Sequence, residues 1–269
     1  MSKQLKQLYE ASSDRVRPSG FSESTAANVY RDYLSFVARY AADGRLLDLG
    51  CGAGWSTLLF SKSGYDAVGL DVTAAAFEPD EAERLRFEEG DAAELPFADA
   101  TFDVVACNQF LEHSPDPWGV LEEAQRVLKP GGWLFVVGPN LLGIGPSITA
   151  LVRHVWQSRP LRRVFVRDDK MPVHPFGNTL WEAGRYFASN LFLLASKVLS
   201  PEVRLTMRRP DLMPPFHADN DSCFLCNPLD LRRALIQSGF TVVRSGKVGR
   251  SRLFTWLAGG TWIAARNNR

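Results

Sequence analysis

The sequence predicts an α/β fold: a three-layer sandwich around a mostly parallel, seven-stranded sheet with its last strand antiparallel, plus a mainly helical cap. Three observations carry this. Short apolar runs alternate with helix-like stretches, the pattern of parallel βαβ units. Residues 45–54, Arg-Leu-Leu-Asp-Leu-Gly-Cys-Gly-Ala-Gly, join a strand to a helix through a glycine-rich turn. Asp48, Asp71, Asp91 and Asn108 each fall at the carboxyl end of a strand or just past it, where open parallel sheets bind ligands.

In chain order, residues 1–21 are polar. Ser22–Ala42 has helical spacing (Val29, Tyr33, Phe36, Val37, Tyr40) and is expected to pack beside the first strand. Leu46, Leu47 and Leu49 form that strand, and Trp55–Ser63 the next helix. Strands follow at Asp66–Leu70, Leu85–Glu89 and Thr101–Cys107. Glu78-Pro79-Asp80 interrupts the helix expected from Thr73 and makes it short. Eight acids between residues 78 and 94 read as a solvated face. Pro117–Leu128 is a helix stopped by Lys129-Pro130-Gly131-Gly132, and Trp133–Val137 is the fifth strand. Asp230–Ser238 is a helix ended by Gly239. Phe240–Val243 and Thr261–Ala265 are the last two strands. The expected organisation is an N-terminal segment and helix (1–44), a core domain (45–138 and 228–269) and a cap (139–227).

The glycine turn narrows the ligand. A dinucleotide site wants Gly-x-Gly-x-x-Gly. Starting that pattern at Gly50 puts Trp55 at the third glycine, and starting it at Gly52 puts Thr57 there. Both frames fail. Asp48-x-Gly50-x-Gly52-x-Gly54 fits, with an acid in the strand end. An acid there repels phosphate and suits an ammonium group, which points to an amino-acid-bearing nucleoside. Asp71 lies 21 residues beyond Gly50, about where an acid binds ribose hydroxyls.

Composition excludes several classes. The 269 residues carry 31 basic and 30 acidic side chains, a net charge of +1, so no overall field favours nucleic acid. The start lacks the apolar core of a signal peptide and no apolar run reaches spanning length, so the expectation is a soluble, cytoplasmic protein. Four cysteines are too few for a disulfide scaffold. Cys223-Phe-Leu-Cys226 has no second pair to complete a zinc site, although His217 and Asp219 could do so on paper; structural cysteines are expected, and no metal.

Six motifs occur in order: Leu46–Gly54, Gly69-Leu-Asp71, Gly90-Asp-Ala-Ala-Glu-Leu-Pro-Phe97, Phe102-Asp-Val-Val105, Leu111-Glu-His113 and Val127-Leu-Lys-Pro-Gly-Gly132. In this order the chain resembles class I S-adenosylmethionine-dependent methyltransferases, nearest the small-molecule branch that includes quinone and sugar methyltransferases. The resemblance covers residues 45–140, and 228–269 more weakly. It implies a Rossmann-like fold and S-adenosyl-L-methionine as cofactor. Gly50, Gly52 and Gly54 would wrap the methionine part, and Asp48 would sit near its amino group, directly or through water. Asp71 would accept from both ribose hydroxyls. Asp91 would accept from the adenine amino group and the Ala92 N–H would donate to a ring nitrogen. Val72 and Leu95 would sandwich the adenine, and Asn108 would close the methionine end. On the residues alone, Asp48 could instead cap the helix, with Asp71 and Asp91 as turn residues.

Methyl transfer needs an acceptor held in line and, for an alcohol, a base. His113, beyond the fourth strand, is the candidate; the alternative is that it simply shapes the pocket. His154, His174 and His217 lie in the cap and the sequence does not rank them. The cap interleaves Arg153, Arg159, Arg162, Arg163, Arg167 and Lys170 with apolar residues, and Trp181–Leu199 is apolar and helix-like. It is read as a lid over the sheet with its arginines in water, or as a peripheral contact with a membrane surface or a lipid-linked substrate. The expected function is O-methylation of a small molecule, a glycan or glycolipid precursor first, with N- or C-methylation or cofactor binding without catalysis as alternatives. Asp219–Asp230 is loosely similar to methyltransferases of surface-polysaccharide pathways.

Overall fold

A computed structural model describes residues 21–73, 79–80, 82–140, 180–200, 202–203, 205–207, 210, 222–224, 226–246 and 260–269. The elements are α1 Glu23–Ala38, β1 Arg45–Leu49, α2 Trp55–Lys62, β2 Asp66–Asp71, β3 Leu85–Glu89, β4 Phe102–Asn108, a 3-10 turn Leu111–His113, α3 Pro117–Val127, β5 Leu128–Gly138, α4 Leu180–Leu199, α5 Pro228–Gln237, β6 Phe240–Ser245 and β7 Thr261–Asn267. The seven strands are ordered β3-β2-β1-β4-β5-β7-β6. Only β7 runs antiparallel to its neighbours β5 and β6. The expected mostly parallel seven-stranded sheet with its last strand antiparallel is therefore present. The short helix expected from Thr73, the basic stretch 153–170 and His154, His174 and His217 lie outside the described residues.

Alternation along the strands builds two cores, because successive side chains point to opposite faces. Leu46, Val104, Ala106, Phe135 and Val137 face one side, where Tyr33, Phe36 and Val37 of α1 and Phe60 of α2 cover them. Leu47, Val105, Cys107, Leu134 and Val136 face the other, under α3 (Val120, Leu121, Ala124) and α5 (Leu231, Ala234, Leu235). Helix starts follow local chemistry. Ser22 caps α1 by accepting the Thr25 N–H, and Asn227 caps α5 by accepting the Asp230 N–H, with Pro228 in its first turn.

The largest boundary difference from the sequence reading is at the start of β5. Lys129–Gly132 does not separate α3 from its strand; β5 begins at Leu128, paired with Phe102, and resumes at Trp133, paired with Val104. The four intervening residues bulge out, with Gly131 at φ 74°, so a proline-glycine break is absorbed as a strand irregularity.

Described residues of 139–227, the expected cap, meet the core at several places. On α4, Lys197 is buried and ion-paired with Asp230 of α5, and Arg233 donates to the carbonyls of Lys197 and Ser200 at 2.6 and 3.0 Å. The Cys223 and Phe224 N–H groups donate to the Glu112 carbonyl at 2.7 and 3.1 Å, and Phe224 and Cys226 join the core under α3 and α5. All four cysteines are buried thiols.

Candidate active site

Parallel strands β1, β2 and β4 end on one edge of the sheet, and the glycine turn begins there. Gly50, Gly52 and Gly54 have φ of 66°, 55° and 83°, a left-handed backbone that glycine adopts without strain. The Gly50 and Cys51 N–H groups both donate to the Leu70 carbonyl, binding the turn to the end of β2.

The three glycines differ in what requires them. A Cβ at Gly50 would lie 2.1 Å from the Phe110 ring, and one at Gly54 would lie 2.5 Å from Phe87. Gly54 is buried, and both its backbone and its packing against Phe87 demand glycine there, whereas Gly50 and Gly52 are half-buried. Phe110 also links the turn to the candidate base, since its carbonyl accepts the His113 N–H at 2.9 Å.

Asp48 is buried, and its carboxylate accepts from three hydroxyls: Tyr33 at 3.3 Å, Ser56 at 2.6 Å and Thr57 at 2.9 Å. It joins β1 to α1 and α2 from behind the glycine turn. Burial raises its pKa to about 6, against the lowering effect of those hydrogen bonds. Its carboxylate thus turns toward the helices. None of these partners was anticipated from the sequence, although Ser56 and Thr57 open the helix that follows Asp48.

Asp71, at the tip of β2, is half-buried and accepts the Gly52 N–H at 2.9 Å. Burial raises its pKa, opposed by the amides of Gly52, Val72 and Thr73. Val72 beside it is half-buried. In the loop after β3, Asp91 accepts the Ala93 N–H at 3.1 Å, and Ala92 and Leu95 are buried within the same core as Leu70. Asn108 ends β4, half-buried, opposite Val137.

Beyond Asn108, Gln109 has φ 53°. A non-glycine residue there is uncommon and points to a constrained site. Its N–H donates to the Val137 carbonyl and it is exposed at the sheet edge; nothing in the sequence singled it out. His113 keeps its side chain about one-fifth exposed, and its Nε2 lies 3.7 Å from Oε1 of Glu112, whose carboxylate is buried. Cys226 packs close to the same carboxylate across Gly138.

The geometry fits an amino-acid-bearing nucleoside. A left-handed backbone bend, a half-buried carboxylate at the next strand tip and a second carboxylate in the following loop lie at the carboxyl ends of neighbouring strands. Residues 47–136 match the family model described as a methyltransferase domain. The chain is similar to a 27-O-demethylrifamycin SV methyltransferase of Amycolatopsis mediterranei, 38% identical over 125 residues, which are 43% of this chain and 46% of that protein. It is similar to a ubiquinone biosynthesis O-methyltransferase of Paracidovorax citrulli, 35% identical over 102 residues, 34% of this chain and 42% of that protein. The chain thus spans less than half the length of these curated relatives. Its fold resembles that of a Burkholderia thailandensis 1,6-didemethyltoxoflavin-N1-methyltransferase solved with S-adenosylhomocysteine, at a TM-score of 0.56 and 17% identity, covering 99% of this chain and 88% of that one. The residues that carry the motifs also carry the family match, in the strand order that places their tips on one sheet edge: residues 47–136 are a methyltransferase domain.

Proposed function

We propose that the protein transfers the methyl group of S-adenosyl-L-methionine to an oxygen atom of a small molecule, with a glycan or glycolipid precursor as the first acceptor class. The observation that carries the reading is the Asp71 carboxylate accepting the Gly52 N–H at the tip of β2, on the sheet edge where Asn108 ends β4 and Phe110 connects the glycine turn to His113. The names of the two curated relatives, each of which refers to an oxygen position, support oxygen as the acceptor atom.

In this reading Gly50 and Gly52 line the methionine tail and Asp71 accepts from the ribose. Asp91, the Ala92 N–H, Val72 and Leu95 hold the adenine, and Asn108 closes the methionine end. Gly54 and Asp48 act from beneath: Gly54 lets Phe87 pack, and Asp48 fixes the start of α2 while lending its charge to the amino-group side. When bound, the cofactor supplies a sulfonium methyl and a neutral thioether leaving group. The chain then has to hold the acceptor in line and take its proton. His113 is assigned that proton. Its Nε2 lies 3.7 Å from Oε1 of Glu112, too far for a direct hydrogen bond.

The exposed Leu191, Phe192, Val198 and Leu199 on α4 support a cap that meets an apolar or lipid-linked acceptor, or a membrane surface. Among the described residues no helix is long and apolar enough to cross a membrane.

The test is transfer from isotopically methyl-labelled cofactor to a panel of sugars, glycolipids, phenols, amines and carbon acids. Label in a base-stable ether on a hydroxylated acceptor is expected, with His113→Ala slowed about 10²–10⁴-fold and cofactor affinity unchanged. Labelling only of amines or carbon acids would remove the O-methylation reading. Cofactor binding without turnover on any acceptor would favour a non-catalytic role.

A further inference from the structure

The loop after β3 has no regular structure of its own, yet it is held as firmly as a strand. Its first half is a turn in which the Glu94 N–H donates to the Asp91 carbonyl at 2.9 Å. Its second half is gripped from α3. Arg126 donates from Nε to Glu123 Oε1 at 2.7 Å and from Nη2 to Glu123 Oε2 at 2.7 Å and the Leu95 carbonyl at 3.1 Å. Its Nη1 donates to the Phe97 carbonyl at 2.8 Å and to Asp99 at 2.7 Å. These contacts engage all five guanidinium N–H groups, an arrangement that only the planar fork of arginine allows. Glu123 Oε2 also accepts the Leu95 N–H at 2.7 Å. Leu95 is thus held at both its N–H and its C=O by one carboxylate–guanidinium pair. The first turn of α3 touches the same loop, since a Cβ on Gly119 would lie 3.3 Å from the Ala93 side chain.

The Asp99 contact adds little to stability, because that carboxylate is largely exposed. The contacts to Leu95 and Phe97 are different: they fix the backbone path of the loop that carries Asp91, Ala92 and Leu95. Hydrogen-bond recognition of a base demands placement within fractions of an ångström, and a loop supplies that only when its backbone is tied down.

We propose that Glu123 and Arg126 are positioning residues for the nucleobase wall, setting the affinity and base selectivity of the cofactor site without touching the cofactor. The proposal rests on the assignment of residues 91–95 to the adenine. It predicts a selective defect: loosening the clamp weakens recognition of the base edge while leaving the methionine and ribose contacts in place.

The experiment is calorimetric binding of S-adenosylhomocysteine and of S-inosylhomocysteine, whose base carries an oxo group where adenine has its amino group. The proteins are the full-length wild type, Arg126→Lys and Glu123→Gln. Arg126→Lys keeps the charge and loses the fork; Glu123→Gln keeps an acceptor for the Leu95 N–H and weakens the hold on Arg126. Loss of one or two charge-assisted hydrogen bonds is expected to raise the dissociation constant for S-adenosylhomocysteine about tenfold. The inosine analogue should lose far less, so the preference between the two ligands narrows. Unchanged affinity and unchanged preference in both variants would overturn the proposal. Equal weakening toward both ligands would also overturn it, since a merely structural role lowers both together. Should Arg126→Lys fail to fold, Glu123→Gln decides alone. Wild-type protein that binds neither ligand would instead overturn the cofactor-site reading beneath it.

Discussion

The Asp71 carboxylate accepts the Gly52 N–H at 2.9 Å. The acid assigned to the ribose and the turn assigned to the methionine tail are therefore one unit: the side chain that would grip the sugar also holds the bend in shape. Asp71→Ala removes both functions. Loss of hydrogen bonds to a charged group costs on the order of 1.5–3 kcal/mol each, so S-adenosylhomocysteine affinity should fall at least tenfold in a calorimetric titration. Asp71→Asn keeps an oxygen for Gly52 and should fall between wild type and alanine. Unchanged affinity in Asp71→Ala would mean that the nucleoside lies elsewhere.

Asp48 predicts an unusual pH dependence. Its pKa is raised from 3.8 to about 6 by burial. A raised folded-state value means that the folded protein holds this proton more tightly than the unfolded chain. The stabilising contribution is complete below about pH 4 and is lost as pH rises through 6. The change is about 3 kcal/mol at 1.36 kcal/mol per pKa unit. Asp48→Asn cannot titrate, so the difference between wild-type and mutant unfolding free energies should shift by that order between pH 4 and 7. Urea unfolding across this range measures it, and parallel curves for the two proteins would refute the assignment.

Much of this architecture is legible from residue order because it is set by local chemistry. Adjacent Leu46 and Leu47 enter opposite cores, Ser22 and Asn227 start helices, and the glycines of 50–54 mark the turn. What escapes is decided by distant partners. Lys129–Gly132 reads as a terminator, but Leu128 has already paired with Phe102 on the neighbouring strand, so the chain bulges and continues. The hydroxyl of Tyr33, 15 residues before Asp48, reaches it only because α1 packs across β1. Phe87 and Phe110 look like ordinary strand and loop aromatics until the fold lays them against Gly54 and Gly50. Arg126 reads as a basic last-turn residue, a favourable place near a helix C-terminus, while beyond Glu123 its partners lie in a loop about thirty residues earlier.

Gly54 should tolerate no side chain. Its φ is 83°, and an added Cβ would sit 2.5 Å from Phe87. Gly54→Ala should lose about 1–2 kcal/mol to left-handed backbone strain. Overpacking against Phe87 should add about 1–3 kcal/mol. Both parts are read as a lower midpoint in urea unfolding. Adding Phe87→Leu should recover part of the second contribution and none of the first. Full recovery would show that backbone strain at residue 54 contributes nothing.

The buried Lys197–Asp230 pair decides whether α4 stays on the core. Both side chains are almost wholly enclosed, and Asp230 also accepts from the Asn227 side chain at 2.9 Å. Lys197→Met removes the cation and leaves a carboxylate enclosed in the first turn of α5. Breaking one side of such a pair costs about 3–5 kcal/mol, more than the pair itself contributes, because the remaining charge loses its counter-ion and regains no water. The protein can relieve that cost by releasing α4 from α5, so protease cleavage within 180–199 should precede global unfolding in Lys197→Met. The double change Lys197→Met with Asp230→Asn replaces the stranded charge by a neutral amide. It should recover most of the stability and the protease resistance. If the single and double variants are equally destabilised and equally cut, the attachment of α4 comes from packing around Leu193 and from the Arg233 contacts, and charge pairing has no part in it.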